Sequence, residues 1–171
     1  VGRDAVRPYD LLPPDAADLA PPVGLPPSMP LHQLLAVILA SIFALLALVH
    51  FYWATGRAHD LGGAVPTRDG KPLFEPGPIA TAAVGCALAA AAATVALRGG
   101  LWTPGLPPWV ARVGIWALAV LFALRAIGEF RYVGFFKRVR DTRFARLDTL
   151  VFSPLCATIA ILSIALALLA P

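Results

Sequence analysis

Four long apolar runs divide this chain, and proline, glycine and charge collect in the stretches between them. The first, Leu34 to Trp53, reads LLAVILASIFALLALVHFYW; its 20 residues, helical at about 1.5 Å each, cover the roughly 30 Å hydrocarbon layer of a bilayer. It ends on Phe51, Tyr52 and Trp53, rings suited to the headgroup level. The second, Pro78 to Leu97, is dominated by alanine, whose small side chain permits close backbone approach, so this span is expected to be the central and most enclosed helix. Pro78 suits its first turn, where no intrahelical donor is lost. The third, Trp109 to Gly128, opens on an interfacial tryptophan, and the fourth runs from Thr149 to Ala170. The pattern predicts an all-α integral membrane four-helix bundle over residues 34–171, with spans at about 34–53, 78–97, 109–128 and 149–170.

The segments between the runs fit this arrangement. Residues 1–33 form a proline-rich acidic tail with Asp4, Asp10, Asp15 and Asp18, and its first thirty residues contain eight prolines. Proline removes backbone donors and the acids repel, so the tail is expected to be extended or partly disordered and able to lie along a partner as a polyproline-like strand. It lacks the basic-then-apolar order of a secretory leader. Glycines and prolines between Gly56 and Pro78 predict a polar loop, and the turn from Arg98 to Pro108 is just long enough to join antiparallel neighbours.

Composition narrows the function classes. Only 14% of residues are charged, against about a quarter in soluble domains, and 58% are hydrophobic. The net charge of +4 sits in loops, which points to anionic lipid headgroups, and without a soluble basic face no nucleic-acid partner is expected. Cys86 and Cys156 lie far apart in apolar runs and form no CxxC, so they read as small buried residues, with no metal or cofactor implied. No phosphate-binding loop or nucleophile elbow appears, and no catalytic residue is identified.

Charge asymmetry gives orientation. The loops after the first and third spans hold Arg57, Arg68, Lys71, Arg125, Arg131, Lys137, Arg138, Arg140, Arg143 and Arg146, whereas the other side holds only Arg3, Arg7, Arg98 and Arg112. The positive-inside rule therefore puts both ends of the chain outside the cytoplasm.

The stretch from Arg125 to Cys156 carries half of the basic residues and the one plausible constellation of ionisable groups. Glu129 follows Arg125 by four residues, which would place both on one helix face. His50 near the end of the first span, and Asp148 and Ser153 at the start of the fourth, are expected at a similar depth. The candidate polar cluster is thus His50, Arg125, Glu129, Asp148 and Ser153. It supports two readings: ion pairs that pin the third helix to the fourth, or a hydrated site for a proton or small polar ligand. A third reading puts a haem or other tetrapyrrole on His50. Beyond Arg131, Tyr132, Phe136 and Val139 follow helical spacing, which suits a helix continuing into the interface. Tyr52, Trp53, Tyr132, Lys137, Arg138 and Arg140 are the expected interfacial lipid contacts.

Several motifs in order resemble a family of small bacterial integral membrane proteins catalogued as a domain of unknown function. They are His50-Phe51-Tyr52-Trp53 with Gly56, the loop with Pro66, Gly70 and Pro76, Arg125-Ala126-Ile127-Gly128, Phe144-Ala145-Arg146-Leu147-Asp148-Thr149, and Ser153-Pro154-Leu155-Cys156. The resemblance covers about residues 34–170 and implies a four-span protein, with no activity, substrate or cofactor attached. The long tail departs from the family pattern, in which the first span comes near the start. The resulting expectation is a multi-pass protein of the bacterial inner membrane with a structural or accessory role, interacting with lipids and a larger membrane complex. The alternative is a small membrane enzyme or carrier that uses the His50, Arg125, Glu129 and Asp148 groups.

Overall fold

The computed structural model describes residues 29–56, 64–68 and 71–171. Four helices account for most of them: α1 (Leu31–Ala54), α2 (Pro78–Arg98), α3 (Pro108–Ile127) and α4 (Arg143–Leu169). Each is long and apolar enough to cross a membrane, with 24, 21, 20 and 27 residues respectively. The protein is an all-α four-helix bundle of multi-pass membrane type. Most of the expected tail, residues 1–28, lies outside the described residues, as do 57–63 and 69–70 of the first loop, and residues 31–33 already belong to α1. Between α1 and α2, β1 (Thr67–Arg68) and β2 (Lys71–Pro72) pair antiparallel as a two-residue ladder.

The helices form a ring in chain order: α1 packs on α2, α2 on α3, α3 on α4 and α4 on α1. Each presents a narrow stripe inward. In α1 that stripe is Ala36, Leu39, Phe43 and Ala47, three and four residues apart as a helical face requires. It meets Val95, Ile115, Ile159 and Leu166 in one core, and Phe43 closes the diagonal to α3 edge-on against Phe122, with ring centroids 5.3 Å apart. The outward faces carry exposed Leu45, Leu48, Val120, Leu121, Ile161 and Leu168, an apolar surround that water would not tolerate and lipid does.

The alanine-rich α2 is not the most enclosed helix. Its buried residues are Thr81, Gly85, Ala91, Val95 and Arg98, whereas α4 buries Phe144, Ala145, Asp148, Ser153, Cys156, Ile159, Ala160, Ser163 and Leu166. Cys156 is buried as expected, but Cys86 of α2 is exposed. Small residues bring α2 close to single partners instead. A Cβ on Gly85 would come within 2.8 Å of the Phe51 ring on α1, and one on Gly114 of α3 within 2.5 Å of Thr94.

The fourth helix starts earlier than hydropathy suggests, because its beginning is set by a cap. Thr142 Oγ1 accepts a hydrogen bond from Ala145 N at 3.1 Å. Inside α4, Asp148–Phe152 forms a π turn in which Ser153 N donates to the Asp148 carbonyl five residues back. Pro154 is the physical reason: it has no N–H to give, and its ring crowds the carbonyl four residues earlier, so the regular ladder is interrupted at that point.

The segment between α3 and α4 is irregular, which overturns the expected interfacial helix beyond Arg131. Helix α3 stops at Ile127, Gly128 follows at φ +86°, and Phe130 (φ +66°) and Gly134 (φ +89°) also turn left-handed. The chain folds back on α3, with Phe135 N donating to Ala126 O at 2.9 Å. Gly128 and Gly134 cross so closely that a Cβ on Gly134 would lie 2.5 Å from Gly128 N, so both conformation and space call for glycine.

Candidate functional site

The fold-back delivers Lys137 to Asp148. Asp148 comes from the π turn and is fully buried, an environment in which a lone carboxylate would be very unfavourable. Both of its oxygens are engaged. Oδ1 accepts from Arg125 Nη2 at 3.0 Å; Oδ2 accepts from Gly134 N at 2.8 Å, Lys137 Nζ at 2.9 Å and Ser153 Oγ at 3.0 Å. Three of these donors converge on Oδ2 and one on Oδ1.

Lys137 is equally committed. Only 3% of the residue is exposed, and its ammonium donates to Gly134 O at 3.1 Å, Asp148 Oδ2 at 2.9 Å and Thr149 Oγ1 at 2.7 Å. Thr149 Oγ1 in turn donates a hydrogen bond to Ala145 O at 3.0 Å. All three ammonium donors are used up within the chain. Arg125 reaches in from the last turn of α3 with its side chain still 34% exposed, so the second positive charge stands at the edge of the cluster.

The π turn makes this geometry possible. In a regular helix, positions five apart are rotated by about 140°, and Ser153 would point away from Asp148. The wider turn brings the Ser153 hydroxyl onto the carboxylate while its backbone N–H holds the Asp148 carbonyl.

Of the five residues expected to form the polar cluster, the structure brings together Arg125, Asp148 and Ser153. Glu129 is elsewhere. Because α3 ends before it, the shared helix face with Arg125 does not exist; its exposed carboxylate instead accepts from Arg131 N at 3.1 Å and from Tyr132 N. His50 is also elsewhere, with Nδ1–H donating to Leu46 O at 2.7 Å and its ring beside Trp53 at a centroid distance of 5.2 Å. Among the expected lipid contacts, Tyr52, Arg138 and Arg140 are exposed, Trp53 and Tyr132 are half-buried, and Lys137 is withdrawn into the ion cluster. Nothing in the local run Lys137-Arg138-Val139-Arg140 distinguishes the buried cation from its exposed neighbours. The readable hint was the glycine pair, Gly128 and Gly134, bracketing a segment that must double back.

Away from the cluster, two cavities have a histidine on the wall. One, of about 380 Å³, sits between α1, α2 and the segment leading into α2, lined by His50, Trp53, Val65, Phe74, Thr81 and Val84 among others, with Glu75 also on its wall. The other, of about 190 Å³, lies at the opposite end of α2 beside His32, Arg98 and Arg112. There Arg98 satisfies the open carbonyls at the end of α4, donating from Nη2 to Ala167 O at 2.9 Å and Ala170 O at 2.6 Å, and from Nη1 to Pro171 O. Among the described residues, no group of three or more His, Cys, Asp or Glu side chains is placed to hold a metal ion.

The family described as "Protein of unknown function (DUF3995)" matches residues 43–163, and the chain belongs to it. That match runs from inside α1 to inside α4 and contains the whole Asp148 cluster. No curated protein and no solved structure matches the chain.

Proposed function

We propose that this DUF3995 member is a structural or accessory subunit of a bacterial inner membrane, and that the Asp148 cluster is a structural pin. The observation that carries this reading is the internal engagement of two buried charges: the Asp148 carboxylate takes four donors and the Lys137 ammonium gives three hydrogen bonds, all within the chain. A proton carrier or anion clamp needs a position facing water or substrate, whereas Asp148 is fully buried and the Lys137 ammonium spends all three donors inside the chain. What they do is join α3, the fold-back segment and α4 at one point. Breaking a buried ion pair is strongly destabilising, so the cluster fixes one arrangement of the cationic loop. That loop displays Arg138 and Arg140 to anionic headgroups or to an acidic partner subunit.

The test separates charge from shape. In cells deleted for the gene, the double variant Lys137→Met with Asp148→Asn lacks the buried charges but keeps similar volume. As a pin, it restores the phenotype lost on deletion and migrates on native gels of solubilised membranes with the same assembly as the wild type. A double variant that folds and reaches the membrane yet restores nothing would give the ions a chemical task and end the structural reading.

A further inference from the structure

The larger cavity carries chemistry that the Asp148 cluster lacks. His50 lies one turn from the end of α1, and its Nδ1–H is held by the Leu46 carbonyl at 2.7 Å. A carbonyl oxygen can only accept, so Nδ1 is the protonated nitrogen, and in the neutral ring Nε2 is an acceptor. That lone pair has no partner among the described residues, and the ring forms part of the cavity wall. Trp53, 5.2 Å away centroid to centroid, fixes the ring from the side.

The remaining wall is mostly apolar: Val65, Phe74 and Val84 line it, while Thr81 spends its proton on Gly77 O at 3.0 Å and offers only an acceptor. Glu75 adds a carboxylate, again an acceptor. A volume of 380 Å³ corresponds to about a dozen water-sized groups, enough for one substituted ring and too little for a tetrapyrrole. The cavity is built at the end of a membrane-spanning helix, and Val84 of α2 and Phe74 on its wall are 46% and 56% exposed at the outer surface. A lipid-dissolved molecule can therefore reach it without crossing a polar layer.

We propose that this cavity binds the headgroup of a lipid-borne hydroxylated aromatic ring, of the hydroquinone class, with His50 Nε2 accepting the hydroxyl hydrogen bond. Phe74, Val65 and Val84 enclose the ring. The acceptor-rich wall selects the reduced, hydroxyl-bearing form over the oxidised form, which has only carbonyl acceptors to offer. The site is independent of the Asp148 pin, and its loss leaves the proposed structural role intact.

The experiment uses the full chain in lipid nanodiscs, labelled with 15N-histidine and titrated with decylubiquinol, with its oxidised form decylubiquinone, and with tail-free hydroquinone. The expected result is a saturable shift of the His50 Nε2 resonance with decylubiquinol, and affinity about tenfold weaker for the oxidised form, the effect of one hydrogen bond. Tail-free hydroquinone should bind more weakly than decylubiquinol, since it lacks the membrane anchor. His50→Phe removes the acceptor. Val84→Phe obstructs the cavity with His50 and its bond to Leu46 left in place, so it reports on the site even if His50→Phe folds poorly. Both should lower decylubiquinol affinity at least about tenfold. Equal binding of the reduced and oxidised forms overturns the hydroxyl assignment, and tail-free hydroquinone binding as tightly as decylubiquinol overturns the lipid-borne source. No saturable shift, or affinity unchanged in Val84→Phe, overturns the site itself.

Discussion

Replacing Asp148 by asparagine removes the anion that two cations share and keeps nearly the same shape. The Lys137 ammonium, 2% exposed, is then left in a dry pocket with neutral acceptors alone: Gly134 O, Thr149 Oγ1 and the amide oxygen. Removing one partner of a buried pair costs about 3–5 kcal/mol. Arg125, one-third exposed, adds little, since a pair open to solvent contributes at most about 1 kcal/mol. For a chain of this size, about 2–4 °C of melting temperature corresponds to each kcal/mol, so Asp148→Asn should melt on the order of 10 °C lower in nanodiscs. Lys137→Met should lose a comparable amount by stranding the carboxylate. The double variant should recover most of it, because the asparagine oxygen still accepts from Gly134 N and Ser153 Oγ while the buried charges are gone. It should fall within about 1–2 kcal/mol of wild type, the remainder being the ammonium's lost hydrogen bonds to Gly134 O and Thr149 Oγ1. Melts of all four proteins, followed by tryptophan fluorescence and by proteolysis of the 128–142 segment, give the coupling energy. If the double loss equals the sum of the single losses to within about 0.5 kcal/mol, Asp148 and Lys137 are uncoupled and the pin is refuted.

Three further outcomes check other parts of the reasoning. Gly134→Ala forces a side chain into left-handed backbone against Gly128, and should cost several kcal/mol, about 3 or more, seen as loss of monodisperse protein on size exclusion. Ser153→Ala should destabilise by about 1–3 kcal/mol, because it deletes a hydrogen bond to a buried carboxylate, whereas Ser163→Ala should be neutral or stabilising, since the buried Ser163 Oγ has no partner; paired thermal melts decide both. A carboxy-terminal alkaline phosphatase fusion should be active and the matching green fluorescent protein fusion dark, and the reverse pattern would invert the orientation drawn from the arginine and lysine counts.

Much of the architecture was legible without coordinates because a bilayer imposes length and polarity on each span separately. Leu34 to Trp53 reads as a crossing helix whatever surrounds it, since every backbone group must be satisfied within its own helix. The family resemblance rested on the same local motifs. Arg125, Asp148 and Ser153 were visible as costly groups in apolar context, and cost is a property of the residue and its immediate neighbours. Partnership is not local. Glu129 seemed paired with Arg125 only on the assumption that α3 continued, and Gly128 ended it. Lys137 looked like one more interfacial cation, and only the crossing of Gly128 with Gly134 carried it inward.

Sequence alone therefore determined the number of spans, the apolar surround, the cationic side of the bundle and the presence of buried charge near the end of α3. Tertiary structure decided which charges meet, that α4 rather than the alanine-rich α2 is the most enclosed helix, and that His50 faces a cavity of its own. The physical reason is range. Hydropathy and helix length act over one span, whereas a backbone reversal at two glycines and a π turn before Pro154 rotate a few side chains by large angles. Those rotations fix every partner of Asp148.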